Sequence, residues 1–311
     1  MTSPALACFD AESVLALGYA AATDAIVRAL RDGLDPAIGP ARSSVDLAHG
    51  QMLLMPAETT TATGIKVVTV APGNPARGLP LVHAQYLLFD RATLVPTAVL
   101  DGTALTTLRT PAVSVASVLH QLPDRPLHVA VIGHGPQAQG HVAAFEAVRP
   151  LAGATYLVRD PARASVEGVA LGSADARRRL READVVVCAT SARIPVLRSE
   201  DVRDDAIVVA VGAYEPDARE LDGALLGRSS VVVEDVATAL REAGDVVLAV
   251  AEGALDAATL VSMRDLVLGT ISPPRDRPLV VKTVGMAWED LAVAEAVVAR
   301  DGRRPGTGAA E

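Results

Sequence analysis

Residues 127–148 read LHVAVIGHGPQAQGHVAAFEAV: an apolar run, a glycine-rich turn and a helical stretch in direct succession. The turn, Gly133-His-Gly135-Pro136-Gln137-Ala138, is a GxGxxA pattern, which carries meaning only between a strand and a helix. Gly133 permits the tight turn, and Gly135 lets backbone approach a pyrophosphate. Pro136 and Gln137 open the helix whose N-terminus receives the phosphate charge, and small Ala138 lets that helix pack closely. A dinucleotide is the expected ligand of this stretch.

Four further apolar runs follow: ATYLVRD (154–160), DVVVCATS (184–191), AIVVAVGA (206–213) and SVVVEDV (230–236). Such near-continuous β-branched strands, separated by helical or loop stretches, belong to a parallel sheet covered on both faces. The expected class is α/β, a Rossmann-type doubly wound sheet. At the tip of the second strand, Val158 stands where an acid would hydrogen-bond the ribose of NAD. Arg159 and Arg163 follow and suit a 2′-phosphate, which favours NADP(H) over NAD(H), although Asp160 intervenes.

The Pro123-Asp-Arg-Pro126 segment reads as a linker, and upstream of it the pattern differs. Residues 11–32 have helical periodicity with Gly33 as a stop, and residues 52–100 break into short runs separated by turn residues, an antiparallel meander. Residues 103–122 read as a helix that Pro111 should kink or restart near Thr110. Residues 288–300 (WEDLAVAEAVVAR) form an amphipathic helix whose acidic start, Glu289 and Asp290, suits the helix dipole. The tail from Asp301 should fray. The expected organisation is a second, α+β domain over 1–122, completed by 286–311, and the dinucleotide domain over 123–285.

Composition removes whole classes of function. The chain has 311 residues and a net charge of −9, with 28 basic and 37 acidic residues, which speaks against nucleic acid or an anionic membrane as partner. Cys8 and Cys188 form no disulfide framework, so a reducing cytoplasmic setting is expected. The N-terminus lacks a basic and then apolar leader, and no run has the length of a membrane span. The six histidines show no metal-ligand spacing, so no metal is expected. His134, inside the glycine turn, faces solvent or the cofactor. Arg177, Arg178, Arg179 and Arg181 read as a solvated helix face.

Of the 28 basic residues only Lys66 and Lys282 are lysines. Lys282 reads as the edge of a strand leading into a turn on the cofactor side. Lys66 sits in GIKVVTV, an apolar strand where a charge is unexpected, and alternation alone would face it to water. Arg42 and Arg109 also lie in apolar settings, and the three cations could clamp a carboxylate.

These residues resemble the ornithine cyclodeaminase/mu-crystallin family. The likeness rests on MLLMPA, GIKVVT, Asn74 with Gly78-Leu-Pro80, DGTALTTLRTPAVS, VIGHGPQAQ, ADVVVCATS, VGAYEPDARELD and VGMAWED. It implies a Rossmann domain plus a substrate and dimerisation domain, hence a homodimer. It also implies that Arg42, Lys66 and Arg109 bind a substrate carboxylate, and that Thr190, Thr283 and Gly285 lie along the cofactor. Cyclodeaminases of the family carry an aspartate where this chain has Tyr214 and a glutamate where it has Leu53. Glu215, next to Tyr214, could substitute, though neighbouring strand positions face opposite sides. The expectation is therefore an NAD(P)H-dependent reductase or dehydrogenase of a small α-imino or α-keto acid, with Lys66 or Tyr214 as proton donor. A cyclodeaminase-type lyase with bound NAD and a cofactor-dependent binding protein are the alternatives.

Overall fold

The GIKVVTV run forms the middle of strand β4 (Ala62–Val70), in which buried and half-buried positions alternate, the period of a strand with one face in a core. The structure, a computed structural model, describes residues 6–302, so the tail from residue 303 lies outside the described residues. The chain divides into two compact units. One comprises the described residues through Arg109 with those from Met286 onward, and the other is Thr110–Gly285.

The first unit begins with β1 (Ala7–Phe9), α1 (Ala11–Leu15) and α2 (Tyr19–Arg31). The single helix expected over 11–32 is thus two. The first ends at Leu15, and Gly18, the N-cap of the second, adopts φ 76°, a conformation costly to other residues, so that α2 starts at Tyr19. Strands β2 (Ser43–Leu47), β3 (Gly50–Glu58), β4, β5 (Val82–Asp90) and β6 (Pro96–Asp101) form the expected antiparallel meander, and β1 adds in parallel to β6. The sheet order is β1-β6-β5-β4-β3-β2. One row of its register runs Met55↔Lys66↔Tyr86↔Leu100, all four side chains buried.

Helix α3 (Gly102–Val118) continues through Pro111 rather than restarting. Proline removes one backbone bond, a loss of roughly 3 kcal/mol, while Leu105, Leu108, Ala112, Val113 and Val115 of this helix are all buried. Burial of that size outweighs the local penalty.

The second unit holds an eight-stranded sheet, parallel throughout: β7 (Leu127–Ile132), β8 (Leu151–Val158), β9 (Gly168–Ala170), β10 (Val185–Cys188), β11 (Ile207–Ala210), β12 (Ser230–Val233), β13 (Val261–Ser262) and β14 (Leu279–Lys282). Its order is β13-β12-β14-β11-β10-β7-β8-β9, so the chain reverses direction of travel between β7 and β10. Every residue of β10, β11 and β14 is buried, as near-continuous apolar strands require. Helices α4 (Pro136–Val148), α5 (Ala174–Glu182), α6 (Gly223–Arg228), α7 (Val236–Glu242), α8 (Gly244–Ala251) and α9 (Met263–Val267) connect the strands. Lys282, read from sequence as the edge of a strand leading into a turn, is the last residue of β14, an internal strand flanked by β11 and β12. The last helix, α10 (Ala287–Arg300), returns to the first unit and packs on α2, β3, β4 and β5. Among the described residues no helix is long and apolar enough to cross a membrane.

Candidate active site

In the first unit Lys66 lies on the buried face of β4, 2% exposed, contrary to the solvent-facing position that alternation alone suggested. Its Nζ donates to Asp290 Oδ2 at 2.7 Å and to Thr106 Oγ1 at 3.2 Å. Arg109, one helical turn beyond Thr106, donates from Nη1 to Glu289 Oε2 at 2.6 Å and from Nε to Asp290 Oδ1 at 3.2 Å. Glu289 and Asp290 are fully buried in the first turn of α10. They were read from sequence as complements to the helix dipole, and the structure makes them ion partners of two buried cations as well.

Burial lowers the Lys66 pKa to about 8, with the Asp290 carboxylate opposing that shift and the Arg109 charge adding to it. The ammonium is thus held at neutral pH yet gives up its proton far more readily than a surface lysine. Tyr86, next in the same register row, lies across Gly64, where a Cβ would fall 2.2 Å from the phenol oxygen. Burial, followed by the charges of Asp290 and Glu295, pushes that phenol well above its ordinary range. Arg42 is half-buried one residue ahead of β2, whose Ser43 pairs with Leu54. Continuing that register by one position sets Arg42 beside the Met55–Lys66 row. Leu53 packs with Met55, Val68 and Ala84, an apolar cluster where a carboxylate would be desolvated without a partner.

In the second unit the glycine turn has the form its sequence implies. Gly133 adopts φ 121°, and a Cβ there would meet the Ala189 carbonyl oxygen at 2.5 Å. Gly135 precedes α4 with open space around its Cβ position and makes no side-chain cap, Pro136 takes the first turn, and Ala138 is fully buried. Backbone N–H groups at the start of α4 are therefore left for an anion, so these residues fit a dinucleotide pyrophosphate. His141, one turn after Gln137, is fully buried, and its pKa falls to about 4 through desolvation. Its Nδ1 donates to the Gln137 carbonyl at 2.7 Å, which leaves Nε2 to accept from Ser114 Oγ at 2.9 Å. His134 is engaged with Ser165, 3.2 Å from Nδ1 to Oγ.

At the tip of β8, Val158 is buried while Arg159 and Arg163 are exposed. Asp160 turns to accept from Ala162 N at 3.0 Å. Tyr214 is 58% exposed in the loop after β11, and Glu215 beside it pairs with Arg193 at 2.6 Å. Thr190 N and Oγ1 both donate to Glu220 Oε1, at 2.8 and 2.7 Å. Thr283 is buried, and Val284 N and Gly285 N donate to Glu234 at 2.7 and 2.9 Å. Lys282 Nζ lies 3.2 Å from Asp245 Oδ2, both fully buried. Sequence reasoning missed Glu220, Glu234, Asp245, Glu289 and Asp290. The available signal was an acid at the end of an apolar run for Glu234, and an acid opening one for Asp245. Among the described residues no group of three or more His, Cys, Asp or Glu side chains could hold a metal ion.

Residues 17–302 match the model of the ornithine cyclodeaminase/mu-crystallin family. The chain belongs to this family. Within the family it is similar to Delta(1)-pyrroline-2-carboxylate reductase 2 of Burkholderia ambifaria, 35% identical over 286 residues that cover 86% of this chain and 87% of the relative. It is also similar to the ketimine reductase mu-crystallin of Rattus norvegicus, 31% identical over 268 residues, 83% of each chain. Among solved structures, the Delta(1)-pyrroline-2-carboxylate reductase of Thermococcus litoralis, in complex with NADH and L-proline, superposes with a TM-score of 0.83. The two are 27% identical, over 96% of this chain and 98% of the other. The family's α/β fold, a parallel sheet with a second sheet-bearing unit, is the fold of this chain.

Proposed function

We propose that this protein is an NAD(P)H-dependent reductase of small cyclic α-imino acids, converting the C=N bond to the corresponding amino acid. The observation that carries this reading is the placement of two cations, Lys66 and Arg109, buried together in the first unit, with Arg42 half-buried one residue ahead of β2, residue types that bind a carboxylate. Of the relatives above, one is named for reducing Delta(1)-pyrroline-2-carboxylate and the other for reducing ketimines.

The parts divide as follows. Arg42, Lys66 and Arg109 bind the carboxylate and orient the imine. Lys66 Nζ holds the proton destined for the substrate nitrogen, since its lowered pKa makes it both charged at neutral pH and a competent donor. It is favoured over Tyr214, which stands largely exposed. Gly133, Gly135, Pro136, Gln137 and Ala138 hold the dinucleotide phosphates, and the loops bearing Thr190, Thr283 and Gly285 line its remainder. When bound, the reduced dinucleotide supplies the hydride for the α-carbon.

A preference for NADP(H) over NAD(H) is supported by the exposed Arg159 and Arg163 and by the capping duty that occupies Asp160. A homodimer is supported by the second face of the six-stranded sheet, where Val45 and Leu47 are 47% and 49% exposed and Met52, Leu54, Ile65 and Val67 half-buried. A reducing cytoplasmic setting suits Cys8 and Cys188, both free thiols. Ornithine cyclisation is disfavoured, because Leu53 is packed in an apolar cluster and Glu215 is committed to Arg193.

Mixing the protein with NADPH or NADH and Delta(1)-pyrroline-2-carboxylate tests the reading. Oxidation of the nucleotide with formation of proline is the expected result. Ammonia release from ornithine without net nucleotide turnover would replace it by the lyase reading, and ligand binding with no turnover by the binding-protein reading.

A further inference from the structure

Glu220 is fully buried, yet it lies in a loop of the second unit and faces no surface. Its carboxylate joins two segments that follow neighbouring strands of the parallel sheet. Oε1 accepts from Thr190 N at 2.8 Å and Thr190 Oγ1 at 2.7 Å, beyond β10. Oε2 accepts from Gly212 N at 2.7 Å, beyond β11. The clamp is tight, since a Cβ at Gly212 would fall 2.0 Å from the Thr190 carbonyl oxygen and 2.6 Å from Glu220 Oε1.

The clamp is itself held. Asp245 Oδ1 accepts from Glu220 N at 2.7 Å and Leu221 N at 2.8 Å, while Asp245 Oδ2 sits 3.2 Å from Lys282 Nζ. Lys282 also donates to the Ala210 carbonyl at 3.3 Å, at the end of β11. Three buried ionic side chains, none used by the chemistry above, thus converge on the carboxyl ends of adjacent strands. Ligands of open parallel sheets bind at that end, where strand order reverses. Here the reversal lies between β7 and β10, and Gly133 and Ala189 nearly touch there.

We propose that Glu220 is a positioning residue. Its carboxylate fixes the Thr190 and Gly212 loops as one platform for the nicotinamide half of the dinucleotide, with the Lys282–Asp245 pair holding it in place. This rests on the dinucleotide reading given above. It also reassigns Thr190, whose hydroxyl proton is spent on Glu220, so that the loop serves the cofactor through its backbone and shape. A glutamine at position 220 would turn an amide donor toward a backbone N–H, leaving a buried donor unsatisfied.

The experiment compares Glu220→Gln with the wild type by titrating NADPH and NADH, and separately ADP, which reaches only the half of the site at the Gly133 turn. A hydrogen bond to a charged group is worth about 1.5–3 kcal/mol, so dinucleotide affinity should fall at least ~10-fold while ADP affinity stays within about twofold. A general loss of structure would weaken both equally. Thr190→Val keeps the side-chain shape and removes the hydroxyl's bond to Glu220 together with the longer one it accepts from Ala192 N at 3.2 Å, while the Thr190 N bond to Glu220 stays. It therefore gives the same pattern at smaller amplitude and decides the matter where Glu220→Gln does not fold. Unchanged dinucleotide affinity in the folded variant, or parallel loss of ADP, overturns the clamp. A wild type that binds ADP and neither dinucleotide overturns the dinucleotide reading, and the clamp's purpose with it.

Discussion

Lys66 Nζ donates to Asp290 Oδ2 at 2.7 Å, joining a mid-sheet strand to the first turn of the last helix across 224 positions of chain. Both groups are buried, and Arg109 shares the same carboxylate through Oδ1. Breaking a buried pair leaves the other charge uncompensated, which costs more than the pair contributes when intact.

Lys66→Met should therefore lose both activity and stability, the latter by less than the about 3–5 kcal/mol of a charge left wholly unpaired, because Arg109 stays on Asp290. Lys66→Arg keeps the charge but forces a larger group into a site only 2% exposed, for a cost of about 1–3 kcal/mol. Its planar guanidinium also cannot act as proton donor, so turnover should fall at least ~10-fold, the order expected for loss of a general acid. Denaturant unfolding and steady-state kinetics check the two effects separately.

The pH dependence follows from the same pair. Folded, Lys66 titrates at about 8, against an ordinary 10.5. Between those values the unfolded chain keeps a proton that the folded chain has released, so this group's contribution to stability rises with pH across the window. With Lys66 as the proposed proton donor, turnover should fall as pH rises through about 8. Asp290→Asn removes the charge that opposes the shift, so the alkaline limb of kcat/KM should move below that value. An unmoved limb would show that Lys66 does not set it.

His141 gives the opposite end of the range. Its pKa of about 4, against an ordinary 6.5, means the unfolded chain takes up a proton that the folded chain refuses as pH drops through that interval. Stability is lost as pH falls. Wild-type melting temperature should accordingly fall more steeply than that of His141→Gln between about pH 7 and pH 5, measured calorimetrically.

Replacing both Arg159 and Arg163 by Ala should raise KM for NADPH about 10-fold or more and leave KM for NADH within about twofold, because a phosphate-specific contact is lost. Equal effects on the two nucleotides would remove these arginines from any role in cofactor choice.

The sequence carried the local parts of this description well. The GxGxxA turn and the apolar parallel strands are patterns within a few residues, and each appears in the structure where the pattern placed it. Lys66 was anomalous in the same local way, but alternation put it toward water and β4 buries it. Partners distant along the chain were not legible. Glu289 and Asp290 looked like helix-start acids because nothing nearby reveals cations more than a hundred positions away. Lys282 does end its strand as read, but its burial against Asp245 was not legible, because β14, late in the chain, inserts between β11 and β12, and sheet order is not written in any one strand. Gly18 was the reverse case: a glycine tolerated by helical periodicity was in fact a break, with a positive φ that periodicity does not reveal.

The central claim is that the buried lysine serves reduction of a cyclic imino acid. Its most direct measurement is NADPH or NADH oxidation by Delta(1)-pyrroline-2-carboxylate, run on the wild type and on Lys66→Met protein shown to be folded and to bind nucleotide. The account predicts proline formation by the wild type and a loss of at least ~100-fold in the variant, the scale of general acid catalysis. Turnover by the variant at the wild-type rate, or no oxidation by a wild type that binds the nucleotide, would contradict it.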